Sequence, residues 1–217
     1  MSWNRRLVGF GVWSGATAIA VVAVGGWLTR WGATRAEVAR RLPGDDIVLV
    51  PQYCATNAIT VDTAPEAVWP WLVQMGGYDR AGWYSYDLLD NSGVPSAWKI
   101  VPELQDLKVG DLLATGRSGE GYRVEAIDPG RSLVLTIREV EAVTSLALVL
   151  APTIDGGTRL LFRVRVRARN TVRGQVYRAL MEVGHVPLTR RTLLGIKARA
   201  ERLAARLTGA EAVPLSG

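Results

Sequence analysis

A chain of 217 residues with one cysteine, Cys54, and one histidine, His185, can form no intramolecular disulfide and cannot supply a zinc site with several Cys and His ligands. The net charge of +6 is unevenly spread: residues 1–41 carry six basic and one acidic side chain, residues 42–158 seven and sixteen, and residues 159–206 thirteen and two. Basic excess of this kind marks an anion-facing surface.

The chain opens on an apolar segment. Leu7 to Leu28 is 22 residues without a charge, about 33 Å at helical rise against a hydrocarbon core of about 30 Å. Arg5 and Arg6 precede it, Arg30 follows it, and Trp3, Trp27 and Trp31 stand near its ends, as interfacial aromatics do. A secretory signal is the poorer reading, because its apolar region is usually about 7–15 residues long. Residues 1–30 are therefore expected to form one N-terminal transmembrane anchor in the cell membrane. The flanking charges, with Arg35, Arg40 and Arg41 added on the C-terminal side, place the rest of the chain in the cytoplasm. Gly11 and Gly15 form a G-x-x-x-G that offers a homodimer face. With an anchor in the chain, anionic lipid headgroups are a nearer candidate partner of the basic excess than nucleic acid, which is not expected, and a solvated basic face is the reading preferred to either.

A membrane-proximal linker, 31–46, ends in the turn cluster Leu42-Pro43-Gly44-Asp45-Asp46. The folded domain is expected over 47–208, with a tail at 209–217. Ile47 to Val50 and Ala55 to Asp62 read as strands. Thr63, Pro65 and Glu66 then supply a helix start, with Thr63 as the cap, and Pro70 should bend that helix before it ends at Gly76-Gly77. Val68, Trp69, Leu72 and Met75 share its core face.

Beyond Trp98 come short strands, Leu107 to Ala114, Gly121 to Asp128, Ser132 to Glu141 and Val143 to Leu150, separated by signals such as Asp128-Pro129-Gly130. This spacing implies an antiparallel meander. Phe162 to Arg169 alternates without a break, so Arg163, Arg165, Arg167 and Arg169 form a basic face that should look outward. Gln175 to Val183 reads as a short helix. Pro187 then stands at or just before a long amphipathic helix with Leu193, Ile196, Ala200, Leu203 and Leu207 on its buried stripe.

This order is that of an α+β helix-grip fold, a curved antiparallel sheet wrapped around a long C-terminal helix with a cavity between them. The runs ITVDTAPEAVWPWLVQMGG, GWYSYDLLDN, IVPELQDLKVGD and LLGIKARAERL resemble the SRPBCC superfamily (START-like, Bet v 1-like and polyketide-cyclase-like proteins), in particular its membrane-anchored bacterial members. The resemblance implies a cavity for a hydrophobic small molecule or lipid; it does not imply a reaction. One departure is Pro187 to Arg191, where the resemblance leads one to expect a methionine-glutamate pair.

The residues expected to line that cavity lie in and beside the aromatic stretch: Trp71, Met75, Trp83, Tyr84, Tyr86 and Asp87. If the protein is a cyclase-like enzyme instead, Asp87 with Tyr84 or Tyr86 would carry proton transfer, and Asp90, Glu103, Asp106 and Asp111 are neighbouring carboxylates whose pKa values apolar walls would raise. A third possibility is a membrane-tethered interaction module with a filled core. His185 is read as a structural hydrogen bonder at a helix terminus and Cys54 as a small buried hydrophobe. Gly116 to Gly121 lacks the Lys-Ser/Thr of a phosphate loop, and no G-x-S-x-G elbow occurs. No cofactor and no metal are expected.

Overall fold

In the computed structural model, which describes residues 29–116 and 119–209, six strands form one antiparallel sheet in the order β1-β6-β5-β4-β3-β2. They are β1 (Tyr53–Val61), β2 (Leu112–Ala114), β3 (Gly121–Asp128), β4 (Ser132–Arg138), β5 (Ala142–Pro152) and β6 (Thr158–Ala168). The helices are α1 (Arg35–Ala39), α2 (Pro65–Val73), α3 (Asp87–Asp90) and α4 (Val172–Leu207), with a 3-10 turn at Pro102–Leu104. The last strand returns to pair with the first, Tyr53 opposite Val166 through Val61 opposite Thr158. The fold is α+β and helix-grip-like.

Each strand's alternation decides what it buries. On β6, Leu160, Phe162, Val164 and Val166 face inward and are buried. Leu160 and Phe162 meet Leu148, Leu135, Leu133 and the helix residues Leu193, Ile196 and Ala200 in the main core. The hairpin signal Asp128-Pro129-Gly130 makes the β3–β4 turn, with Gly130 at φ 72°, and the two strands slip register between Val124 and Ala126, a bulge that bends the sheet.

Several expectations change. Ile47 to Val50 is a turn and bend rather than a strand, the segment 107–111 stays outside β2, and β4 stops at Arg138. The cap of α2 is Ala64 without a side-chain bond; the Thr63 carbonyl instead accepts from Thr158 Oγ1. The two expected C-terminal helices are one helix of 36 residues with Pro187 inside it. Its stripe ends early, since Leu193, Ile196 and Ala200 are buried whereas Leu207 is exposed. Cys54 is exposed, on the sheet face opposite the core.

The largest correction concerns the arginine row. Arg167 and Arg169 are exposed, but Arg163 is 3% exposed and Arg165 is half-buried. The segment 29–50 lies across that outer face and edge. Thr56 and Ala58 of the edge strand donate to the carbonyls of Thr29 and Trp31, which closes part of the unpaired edge. Thr34 and Glu37 form a capping box on α1, and Glu37 pairs with Arg159 at 2.7 Å, whose guanidinium holds the Glu37 carboxyl down at about 2. Arg163 donates to the carbonyls of Glu37, Val38 and Arg40, to Thr56 Oγ1 and to the Asp45 carboxylate at 2.7 Å.

Among the described residues no helix is long and apolar enough to cross a membrane. The expected span Leu7 to Leu28, including Trp27, and the Gly11/Gly15 pair lie outside the described residues, as do Arg117 and Ser118 of the β2–β3 turn.

Removing one partner of a buried ion pair strands the other's charge. Asp45→Ala is therefore expected to lower unfolding stability by roughly 3–5 kcal/mol, and the double replacement Asp45→Leu with Arg163→Met to restore none of it, because the carbonyls of Glu37, Val38 and Arg40 and the Thr56 hydroxyl then lose their donor. Urea unfolding followed by tryptophan fluorescence checks both.

Candidate functional site

The aromatic stretch after α2 is fastened at many points to the rest of the domain. Gln74 is fully buried: its amide donates to the Lys99 carbonyl and its oxygen accepts from Val101 N–H and Gln105 Nε2. Arg80 donates to the carbonyls of Val73 and Met75. Gly82, at φ 86°, lies so close to Ser96 that a Cβ would collide with it, so only glycine fits. Gly195 in the LLGIK run does the same for α4, because a Cβ there would strike the Tyr84 carbonyl oxygen.

These contacts put most of the expected cavity residues into packed core. Trp71, Met75, Trp83 and Tyr84 are buried members of the main cluster. Trp71 and Tyr84 meet edge to face at 6.1 Å, and Tyr84 Oη donates to the Trp71 carbonyl at 3.0 Å. Trp83 packs on Tyr122 at 5.8 Å and donates its indole N–H to the Ala114 carbonyl. Tyr86 is 46% exposed. Asp87 is half-buried, and its carboxylate accepts from both the N–H and the hydroxyl of Ser96.

The proton-transfer pair expected for a cyclase is accordingly not assembled. Asp87 is committed to Ser96, and the Tyr84 hydroxyl is committed to a carbonyl, its pKa pushed well above the phenol range chiefly by burial. The carboxyl that apolar surroundings do raise is Asp90, lifted to about 6 by burial; its buried Oδ1 has no partner among the described residues. Among these residues no group of three or more His, Cys, Asp or Glu side chains is arranged to hold a metal ion.

Sequence reasoning passed over Arg199. It is buried on the core side of α4, donates to the carbonyls of Ala97, Ser96 and Gly195, and stacks on Tyr84 at 4.6 Å and Trp98 at 4.1 Å. One signal was available, an arginine one position before Ala200 of the buried stripe. Its work is to clamp the loop 81–98 against α4.

A cleft of about 690 Å³ opens elsewhere, between the start of β1 and the middle of α4. Thr29, Tyr53, Glu182, Val183, Val186, Pro187 and Arg190 line it. Its volume falls within the range of about 300–1,000 Å³ usual for small-molecule sites. None of the six residues expected from the aromatic stretch lines it. Tyr53 is buried, with a hydroxyl that has no partner among the described residues, and burial, followed by the nearby Glu182, pushes its pKa up to about 12. Behind it lies His185, in the middle of α4 rather than at a helix end. The His185 ring is wedged between Tyr53 at 5.9 Å and Phe162 at 5.7 Å and hydrogen-bonded to Thr189 Oγ1. Burial lowers its pKa to about 4, so it is neutral at physiological pH. Arg190 closes the cleft's far end and lies over the Trp31 ring at 5.3 Å.

The antiparallel sheet and the long C-terminal helix packed on it make the fold helix-grip-like. Similar solved structures include a START superfamily protein from Mycobacterium smegmatis, 11% identical over 69% of this chain and 98% of that one, at a TM-score of 0.39. A protein from Thermobifida fusca is 14% identical over 69% and 94%, at 0.46, and one from Rhodobacter sphaeroides is 17% identical over 70% and 93%, at 0.43. No family model and no curated protein matches the chain. It is the chain's own strand order and terminal helix that carry the fold assignment.

His185, buried, and Asp90, half-buried, give the fold opposite pH dependences. His185, lowered from 6.5 to about 4, contributes stability that is present above 6.5 and is lost as pH falls through about 4. Asp90, raised from 3.8 to about 6, contributes stability that is present below 3.8 and is lost as pH rises through about 6. His185→Phe is thus expected to flatten the acid loss, of at most about 1.4 kcal/mol per pH unit. Asp90→Asn should steepen the net loss between pH 6 and 4 and raise the melting temperature at pH 7. Melting curves across this pH range check the two signs.

Proposed function

We propose that the protein is a membrane-anchored, START-like binding domain that takes a hydrophobic small molecule or lipid in the cleft between β1 and α4. The reading also includes an anchor at Leu7 to Leu28 and a domain on the cytoplasmic side. The observation that carries the ligand part is the cleft of about 690 Å³, with Val183, Val186 and Pro187 as apolar wall and the Tyr53 phenol, Glu182 and Arg190 as its polar groups. A largely apolar pocket with a few convergent polar groups suits an amphipathic ligand. Arg190 is placed to accept a negatively charged head.

Native mass spectrometry of the full chain released gently from membranes, followed by identification of any co-purifying small molecule, tests the reading. A stoichiometric amphipathic ligand is expected. Val186→Trp, which fills the cleft, should abolish its retention. A protein that carries nothing and binds none of a panel of hydrophobic probes overturns it.

A further inference from the structure

The first half of α4 has two apolar faces. Its inner face sends Tyr177 and Met181 against Tyr53, Ala55, Val164 and Val166. On the other side, Val172, Val176, Leu180 and Val183 are 82%, 54%, 68% and 79% exposed. They follow one another at spacings of four, four and three, which at 3.6 residues per turn keeps them within an arc of about 80°. Pro187 continues the same line and is exposed too. A surface helix ordinarily turns polar side chains to water on the face opposite its core, and a contiguous apolar stripe there marks a contact surface.

Two observations say what covers it. The described chain begins at Thr29, and Thr29 lines the cleft together with Val183, Val186, Pro187 and Arg190. The uncharged segment Leu7 to Leu28 therefore joins the domain beside the end of the stripe. If that segment crosses a bilayer, the bilayer surface must lie within a residue or two of this point. The surroundings are also largely basic: Arg173 and Arg191 flank the stripe on one side, Arg190 stands at its end, and Arg167 and Arg169 are exposed just before α4, against the acidic neighbours Glu182, Glu139 and Glu141. Apolar side chains bordered by arginines are the pattern of a helix lying in an anionic lipid interface.

We propose that the stripe Val172, Val176, Leu180 and Val183 rests in the headgroup region of an anionic membrane, holding the domain flat on the bilayer with its cleft open at the lipid surface. The proposal depends on the membrane-anchored reading above and deepens it. It moves the headgroup contact from the arginine row of β6, where Arg163 and Arg165 are engaged with the segment 37–49, to the outer face of α4.

The test uses the full chain in vesicles of phosphatidylcholine and phosphatidylserine, with single cysteines at Val176, Leu180 or Val183 in a Cys54→Ser background, each carrying a nitroxide. Ile154, fully exposed on the β5–β6 turn, supplies the reference site. Oxygen should relax the three stripe labels several-fold more effectively than a water-soluble nickel chelate does, at a depth of about 5–10 Å below the headgroup boundary, with the order reversed at Ile154→Cys. Stripe labels as nickel-accessible as the reference overturn the proposal. So do labels shielded from both reagents, which would mean that a second copy or the chain's own apolar segment covers the stripe. An unchanged depth in phosphatidylcholine alone overturns its anionic part. Failure of the chain to float with the vesicles instead defeats the anchor reading, and is read separately.

Discussion

The buried guanidinium of Arg163 determines how the first part of the domain sits on the sheet. A charge at that depth is tolerated only when its donors are matched, and here every match comes from the edge strand or the segment before it: Thr56, the Asp45 carboxylate, and the carbonyls of Glu37, Val38 and Arg40. Those acceptors exist in the right place only if the chain turns at Leu42 to Asp46 and lies back over the outer face. The same seating brings Thr29 and Trp31 to the free edge of β1, and with them one wall of the cleft. A polar network on one side of the sheet thus shapes an apolar opening at its edge.

On the concave side the polar work is done by groups that hold loops. Gln74, Arg80, Asp87 with Ser96, and Arg199 each satisfy backbone atoms in the irregular stretch between α2 and β2. A loop of that length buried beside a core must find partners for its amides and carbonyls, and these side chains provide them. The carboxylates and aromatics gathered there are accordingly engaged in closing the fold. Two of their buried polar atoms, Asp90 Oδ1 and Trp71 Nε1, lack a partner among the described residues.

What could be read from the sequence follows the reach of the interactions. β3 was legible to the residue because Gly121 and the Asp128-Pro129-Gly130 turn bound it, and β5, expected over Val143 to Leu150, extends only to Ala142 and Pro152. Ile47 to Val50 looked like a strand because four apolar residues in a row carry no period that separates a strand from a covering turn. Pro187 looked like a helix boundary because a proline removes a local donor, yet the helix continues through it, packed by Leu193 and Ile196 beyond. The burial of Arg163 depends on Asp45, which is 118 positions away, and alternation within β6 carries no trace of such a partner. The candidate site suffered likewise: aromatic density marks a place where large side chains collect, but whether they enclose space or fill it depends on contacts from β2, β3 and α4.

The cleft and the stripe have a common origin in the length of α4. Its 36 residues extend about 54 Å, whereas the longest strands, of 11 residues, reach about 37 Å. A helix longer than the sheet beneath it cannot bury one face along its whole course. The stretch from Thr189 to Ala200 is held by α2, the sheet and the loop that Arg199 clamps, with Thr189, Thr192, Leu193, Ile196, Arg199 and Ala200 buried. The half before Pro187 has only the end of the sheet beneath it, so a gap opens between helix and strand edge, and Tyr53, backed by His185, lies in its wall. Polar residues along the outer face would have made this overhang an ordinary solvated helix. Valines and a leucine stand there instead, and their hydration cost is relieved only by another apolar phase.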